Sequence, residues 1–222
     1  MEHNQRVLHL SLEHIGIVGL SLIIATIIGV PLGIMITKYK NLAKPVLNTA
    51  NVLMTIPSIA LFGIMLPVLA MVNLGLGKVP AIIALVLYSQ LPIIRNTYTA
   101  IKNVPPAVVD AGKGMGMNRW QLLKEIEIPI SIPLILAGLR TAAVMNIGIA
   151  AIASYIGAGG LGVLIQQGIN RVYPEMILSG AILVSLLAII VDGGMGLFEY
   201  LVTPKGIKIQ RKLVQWESSL KN

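Results

Sequence analysis

The chain has 222 residues, is 55% hydrophobic and only 12% charged, and contains no cysteine. A soluble domain carries about 25% charged residues, so a chain with a mean hydropathy of +0.83 lacks the polar residues to cover a water-facing surface. These values exclude an ordinary soluble enzyme, disulfides and thiolate metal sites, and predict an all-α membrane helix bundle; the net charge of +8 leaves nucleic-acid binding to be judged from where the charges sit.

Residues 2–13 are short, polar and partly periodic through Val7, Leu8, Leu10 and Leu12. They read as a lead-in (residues 1–13), lying along a membrane face or simply facing water. The opening Met1-Glu2-His3-Asn4 lacks the basic lead of a cleaved signal peptide, and the apolar run behind it is too long for one. A spanning helix needs about 20 mostly apolar residues to cross a hydrocarbon core roughly 30 Å thick. Residues 14–37 carry no formal charge and supply the first span. Residues 45–77 are a second uncharged run, long enough for one helix and a loop ending at Asn73-Leu-Gly-Leu-Gly-Lys78. The third span covers residues 80–99, with Pro92 and Arg95 near its end. The fourth, residues 132–154, contains Arg140, and the fifth, residues 176–200, contains Asp192.

The basic residues orient these five spans. Lys38, Lys40 and Lys44 follow the first; Arg95, Lys102, Lys113, Arg119 and Lys124 cluster between the third and fourth. Lys205, Lys208, Arg211, Lys212 and Lys221 follow the fifth, in a basic tail at residues 204–222. Only Arg6, Lys78 and Arg171 fall on the opposite side. The positive-inside rule makes the basic side cytoplasmic, with the N-terminus outside and the C-terminus inside. The charge is therefore topological, and no nucleic-acid partner is expected. No internal repeat is visible, which weighs against an inverted-repeat carrier within one chain.

The segment between the third and fourth spans is long and built differently. Pro105 and Pro106 suit a helix's first turn, where the missing amide donor costs nothing. A short helix through Ala107, Val108, Asp110 and Ala111 can follow, weakened by Gly112, Gly114 and Gly116, one of which can take the left-handed cap. Asn118 is a good N-cap, and Gln121 three residues later suits a reciprocal capping box. That begins a second short helix carrying Trp120 and Leu123, and Pro129 and Pro133 are expected to break the chain as it re-enters the membrane. Two short helices with exposed Met115, Met117 and Trp120 read as a docking knob, or as an amphipathic segment resting on lipid headgroups.

At these residues the chain resembles the permease subunits of binding-protein-dependent ABC importers. Their cytoplasmic loop reads Glu-Ala-Ala, three residues, Gly, nine residues, then Ile-x-Leu-Pro. Asp110-Ala111-Gly112 stands in for the triplet, Gly116 keeps the spacing and Ile126-Glu127-Ile128-Pro129 ends it, over twenty residues. The resemblance implies a type I ABC importer permease fold over residues 14–203, a coupling loop at 103–130, and coupling contacts through Asp110, Ala111, Gly112, Gly116, Trp120, Ile126 and Pro129. It also implies partners: two cytoplasmic ATPase subunits, a second permease copy or paralogue, and an extracellular solute-binding protein. Gly112-Lys-Gly-Met-Gly116 lacks the spacing and the Lys-Ser/Thr ending of a phosphate-binding loop, so the ATPase is expected on another polypeptide and no cofactor or metal on this one.

Three further segments, Ile56-Pro-Ser-Ile-Ala-Leu-Phe62, Pro92-Ile-Ile-Arg-Asn-Thr97 and Ile156-Gly-Ala-Gly-Gly-Leu-Gly162, resemble those of the osmoprotectant permeases. That resemblance implies glycine betaine, carnitine, choline or a related quaternary ammonium solute. Methionine permeases share the size and topology, and an unrelated secondary carrier is the remaining alternative. No group among the ten aromatics spells a cation–π cage, except one assembled from Tyr88 and Tyr155.

Inside the spans, Arg140 and Asp192 each fall on the order of 10 Å from the basic side at 1.5 Å per residue. An unpaired charge there is costly; the two either pair with each other or face a water-filled path separately. Asn146 and Gln90 either line such a path or hydrogen-bond between helices. The run from Gly157 to Gly162 is either a hinge or a tight turn that folds residues 163–169 back. No span carries a Ser/His or paired-carboxylate arrangement, so an intramembrane enzyme is not expected.

Overall fold

The computed structural model describes residues 2–203, and the basic tail expected at 204–222 lies outside the described residues. The regular structure among those residues is entirely helical. Helix α1 (Glu2–Lys38) runs for 37 residues, about 55 Å at 1.5 Å per residue. The polar lead-in and the first span are thus one helix, and its first turns prolong the span instead of forming a separate segment.

The second span departs from expectation. Instead of one helix there are two, α2 (Lys40–Thr55) and α3 (Ser58–Ala70), whose axes differ by 97°. Pro57 has no amide hydrogen and excludes Ile56 from the helical region, and Ile56 is extended at φ −67° and ψ 127°. The break exposes the Ile56 carbonyl, and the Tyr88 hydroxyl of α4 (Lys78–Lys102) donates to it at 2.6 Å. Tyr88 is buried, in a cluster with Phe62, Leu85 and Ile147, and Ile56 packs half-buried against the same cluster. Tyr88→Phe removes the donor and keeps the ring. We expect it to cost about 1–3 kcal/mol, read as a lower unfolding midpoint of the detergent-solubilised protein; an unchanged midpoint would show that the bond does not hold the bend.

Helix α4 is the centre of the bundle, packed against α1, α2, α3 and α7 (Ile128–Ile152). It approaches α1 closely because Gly29 and Gly33 lie one turn apart on the facing side. A Cβ at Gly33 would stand 2.6 Å from the Thr97 Cβ, and one at Gly29 would stand 2.8 Å from Ile93 Cγ2. Small residues at such crossings let packing replace the hydrophobic drive that lipid does not supply. Between α4 and α7, the Asn146 side-chain amide donates to Ser89 Oγ at 2.8 Å, so Asn146 joins two helices. Gln90 instead turns its amide onto Val86 of its own helix.

The prolines at 129 and 133 do not break the chain. After α5 (Pro106–Gly114) and α6 (Arg119–Gln121), a π turn (Leu122–Glu127) leads directly into α7, and one continuous helix spans Arg119–Ile156. The Ile128 amide reaches the Leu123 carbonyl five residues back, which widens the helix just ahead of Pro129. A wide turn there relieves the crowding that a proline ring imposes on the preceding turn. Past a 3-10 turn (Ala153–Ile156), the glycine run forms a tight turn, and α8 (Gly162–Asn170) folds back onto α9 (Pro174–Val202). Among the described residues four helices are long and apolar enough to cross a membrane, and the bent α2–α3 pair, taken together, makes a fifth by length and composition.

Candidate functional site

The knob between α4 and α7 is built from local rules. Pro105 caps α5 and Pro106 opens it. Its far end closes on Gly116, at φ +82°, with the Gly116 amide bonded to the Lys113 carbonyl at 2.9 Å and the Met117 amide to the Gly112 carbonyl at 3.1 Å. This is the paired-bond left-handed cap that terminates helices at glycine. Asn118 then caps the next helix: its side-chain oxygen accepts from the Trp120 and Gln121 amides, each at 3.0 Å, while Gln121 Oε1 accepts from the Asn118 amide at 2.8 Å. The reciprocal box is complete.

Two of the motif positions meet in space. Gly112 is buried, and a Cβ there would stand 2.7 Å from both Ile126 Cδ1 and Leu122 Cδ2. The absent side chain at 112 lets α5 lie flat on the π turn, which explains a small residue in the triplet and a branched apolar one fourteen positions later. Pro129 lies just beyond, half-buried at the root of α7. The other four face outward. Asp110 and Ala111 are exposed on α5, with Asp110 held by Lys113 at 2.8 Å; Gly116 forms the tip, and Trp120 is 68% exposed. Met115 is also exposed, whereas Met117 is half-buried, its sulfur near Gly112.

A contact that the sequence did not suggest anchors the knob's base. Arg119 lies 3.5 Å from the carboxylate of Glu127, which is buried. Eight residues is not a facing interval on a regular helix, and only the intervening π turn would have hinted at it. At the bundle's other end, Glu13 pairs with Lys78 at 2.9 Å and accepts from the Gly160 amide at 3.2 Å. The adjoining buried His14 donates from Nε2 to the Ile147 carbonyl at 3.0 Å. These contacts tie the start of α1 to the glycine turn.

Arg140 and Asp192 form a two-point ion pair between α7 and α9, both bonds at 2.5 Å. Gly196, one turn beyond Asp192, leaves room for the guanidinium: a Cβ there would stand 3.1 Å from Nη1. Tyr88 and Tyr155 differ in setting. Tyr88 is buried with its hydroxyl engaged, whereas Tyr155 is exposed. Among the described residues no group of His, Cys, Asp and Glu could hold a metal ion.

Residues 29–203 match the family of binding-protein-dependent transport system inner membrane components. The chain belongs to that family. Over 199 residues it is 49% identical to the osmoprotectant import permease protein OsmW of Salmonella typhimurium, covering 90% of this chain and 93% of that one. It is 45% identical over 196 residues to the glycine betaine/carnitine/choline transport system permease protein OpuCB of Bacillus subtilis, covering 88% of each. The fold is that of a type I ABC importer permease: the methionine ABC transporter MetNI, in an inward-facing conformation, superposes with a TM-score of 0.81 at 21% identity, over 92% of this chain and 99% of that one. The matched residues include the whole segment between α4 and α7 and both members of the ion pair, and the protein is a multi-pass membrane permease.

Proposed function

We propose that this permease carries osmoprotectants of the quaternary ammonium class (glycine betaine, carnitine, choline or a close relative) through an ATP-driven importer. Its N-terminus faces outside and its C-terminus the cytoplasm. The loop at 103–130 transmits the stroke of two separate ATPase subunits, a second permease copy or paralogue completes the path, and an extracellular binding protein delivers the solute. The observation that carries the coupling role is the rigid construction of the knob: Gly112 seated on Ile126, a left-handed cap at Gly116 and a closed capping box at Asn118. A helix fixed at both ends passes on a displacement that a loose loop would absorb. The outward Asp110, Ala111, Gly116 and Trp120 are its contact surface, and an exposed Trp is a strong anchor in a partner's groove.

Two arguments support the solute class. The relatives that match at 40–49% identity carry osmoprotectant, carnitine, choline or glycine betaine in their names, whereas the methionine reading rests on a likeness of fold at 21% identity. The described part of the chain also lacks an assembled aromatic cage, which agrees with recognition residing in a separate receptor.

The test is reconstitution in liposomes with the ATPase and the solute-binding protein of the same importer. Quaternary ammonium solutes are expected to stimulate ATP hydrolysis and to accumulate inside, and methionine to do neither. Stimulation by methionine alone would overturn the solute class. Uptake that persists after residues 110–116 are deleted would overturn the coupling role.

A further inference from the structure

A charged pair at mid-span is costly against hydrocarbon, yet the side chains of Arg140 and Asp192 are 37% and 40% exposed. Their open edges call for water or a polar partner, and the surface around them differs from the rest of the bundle. The open faces of α1 and α9 are made of large aliphatic residues such as Ile23, Ile27, Ile182 and Ile189, as a lipid-facing helix requires. Helix α7 shows no exposed large hydrophobic residue between Ile128 and Ile152. Its open positions are Thr141 and Gly148, with Tyr155 in the turn that follows. Seven residues separate each from the next, which places them on one line along the helix. Across from them, Ser185 is exposed on α9, two turns before Asp192. Gly148, Tyr155 and Ser185 line one cleft of about 450 Å³ between α7, α8 and α9, whose remaining walls are apolar (Ile152, Ile165 and Val184 among them) and which ends short of Thr141 and the ion pair.

We infer that this groove, from Tyr155 past Gly148 and Ser185 to Thr141 and the Arg140–Asp192 pair, is the surface over which the solute crosses the membrane, a weak transit site for a compact quaternary ammonium zwitterion or cation. The inference rests on the proposed function and adds the residues and the chemistry. The Tyr155 ring offers a π face to the quaternary nitrogen. The Ser185 hydroxyl, the accepting lone pairs of Thr141 Oγ1 (whose proton goes to the Ala137 carbonyl at 2.9 Å) and the outer edges of the ion pair hydrate the groove and solvate the solute's polar end. Because Arg140 and Asp192 neutralise each other, neither an ammonium nor a carboxylate meets an unpaired countercharge. A passage must bind weakly enough to release, and this lining does so.

The absence of cysteine from the sequence permits one thiol to be placed at a time in the assembled transporter in liposomes. The probe is 2-(trimethylammonio)ethyl methanethiosulfonate, which is water-borne, permanently charged and itself quaternary. A cysteine at 148 meets open space, since nothing lies within 4 Å of a Cβ there. Only a hydrated thiol ionises and reacts, so Thr141→Cys, Gly148→Cys and Ser185→Cys are expected to be modified at least about tenfold faster than Ile182→Cys and Ile189→Cys on the lipid face. Excess glycine betaine is expected to slow modification at Gly148→Cys. Adding Tyr155→Leu should abolish that protection. Rates at 141 and 148 equal to the lipid-face controls would overturn the inference, as would ready disulfide formation between two copies of Gly148→Cys, which marks a face packed against a second copy. Rates measured without solute read the groove alone. Uptake by the cysteine-free parent reads the proposed function alone, so either can fail without the other.

Discussion

Asp192→Arg alone is expected to abolish accumulation of folded permease, and adding Arg140→Asp is expected to restore it. In the single variant two guanidinium groups face each other between α7 and α9, with no carboxylate to neutralise either. Two like charges held face to face between the helices repel and lack the partner that offsets their partial desolvation, whereas the swapped pair recovers both bonds in mirrored form. The single variants should yield at least about tenfold less monodisperse protein after detergent extraction, with the double variant near the parent. A double variant as poor as the singles would mean that the two residues serve separate partners. Gly196→Leu provides an independent check without altering a charge. Its side chain would enter the space of the Arg140 guanidinium, 3.1 Å from where a Cβ would stand, and should reproduce part of the single-variant loss.

The spans were legible because each is a run of apolar residues longer than any soluble core helix needs, and the capping box at Asn118 was legible because its partners lie within four residues. The bend at Pro57 was not. Pro31, Pro45, Pro67, Pro92 and Pro133 all sit inside helices, so a proline alone does not decide where a helix stops. At Pro57 the deciding partner is Tyr88, thirty-two residues beyond Ile56, which satisfies the Ile56 carbonyl that the break frees. At Pro129 the opposite outcome depends on a π turn whose hydrogen bond skips a residue, and no periodicity reports that. Within the loop at 103–130, the individual signals were readable but the seating of Gly112 on Ile126 was not, because it depends on how sharply the Gly116 turn reverses the chain. The Arg140–Asp192 contact could be posed from the cost of buried charge. The groove beside it could not, since it is visible only as a difference in which side chains each helix leaves open.

Gly116→Val is expected to uncouple the transporter without unfolding it. The residue sits at φ +82°, a region costing a β-branched side chain roughly 1–3 kcal/mol. A Cβ there would meet nothing within 4 Å, so backbone strain and not crowding is the perturbation. Relief comes from opening the turn, which gives up the Met117–Gly112 and Gly116–Lys113 bonds and frees α5 to shift on Leu122 and Ile126. The spans do not depend on that turn, so insertion and detergent stability should match the parent. Solute-stimulated ATP hydrolysis in liposomes should fall at least about tenfold, as a coupling element that has lost its single geometry no longer biases one transport state over the other. Two neighbouring variants separate backbone strain from mere substitution. Gly116→Asn, which tolerates the left-handed region, should keep most of the activity. Gly114→Ala should behave as the parent, because Gly114 ends α5 without a positive φ and has nothing within 4 Å of its Cβ. Full stimulation in Gly116→Val would mean that the knob does not carry force through its cap, and the transmission would then have to run through Trp120 and the base of α7.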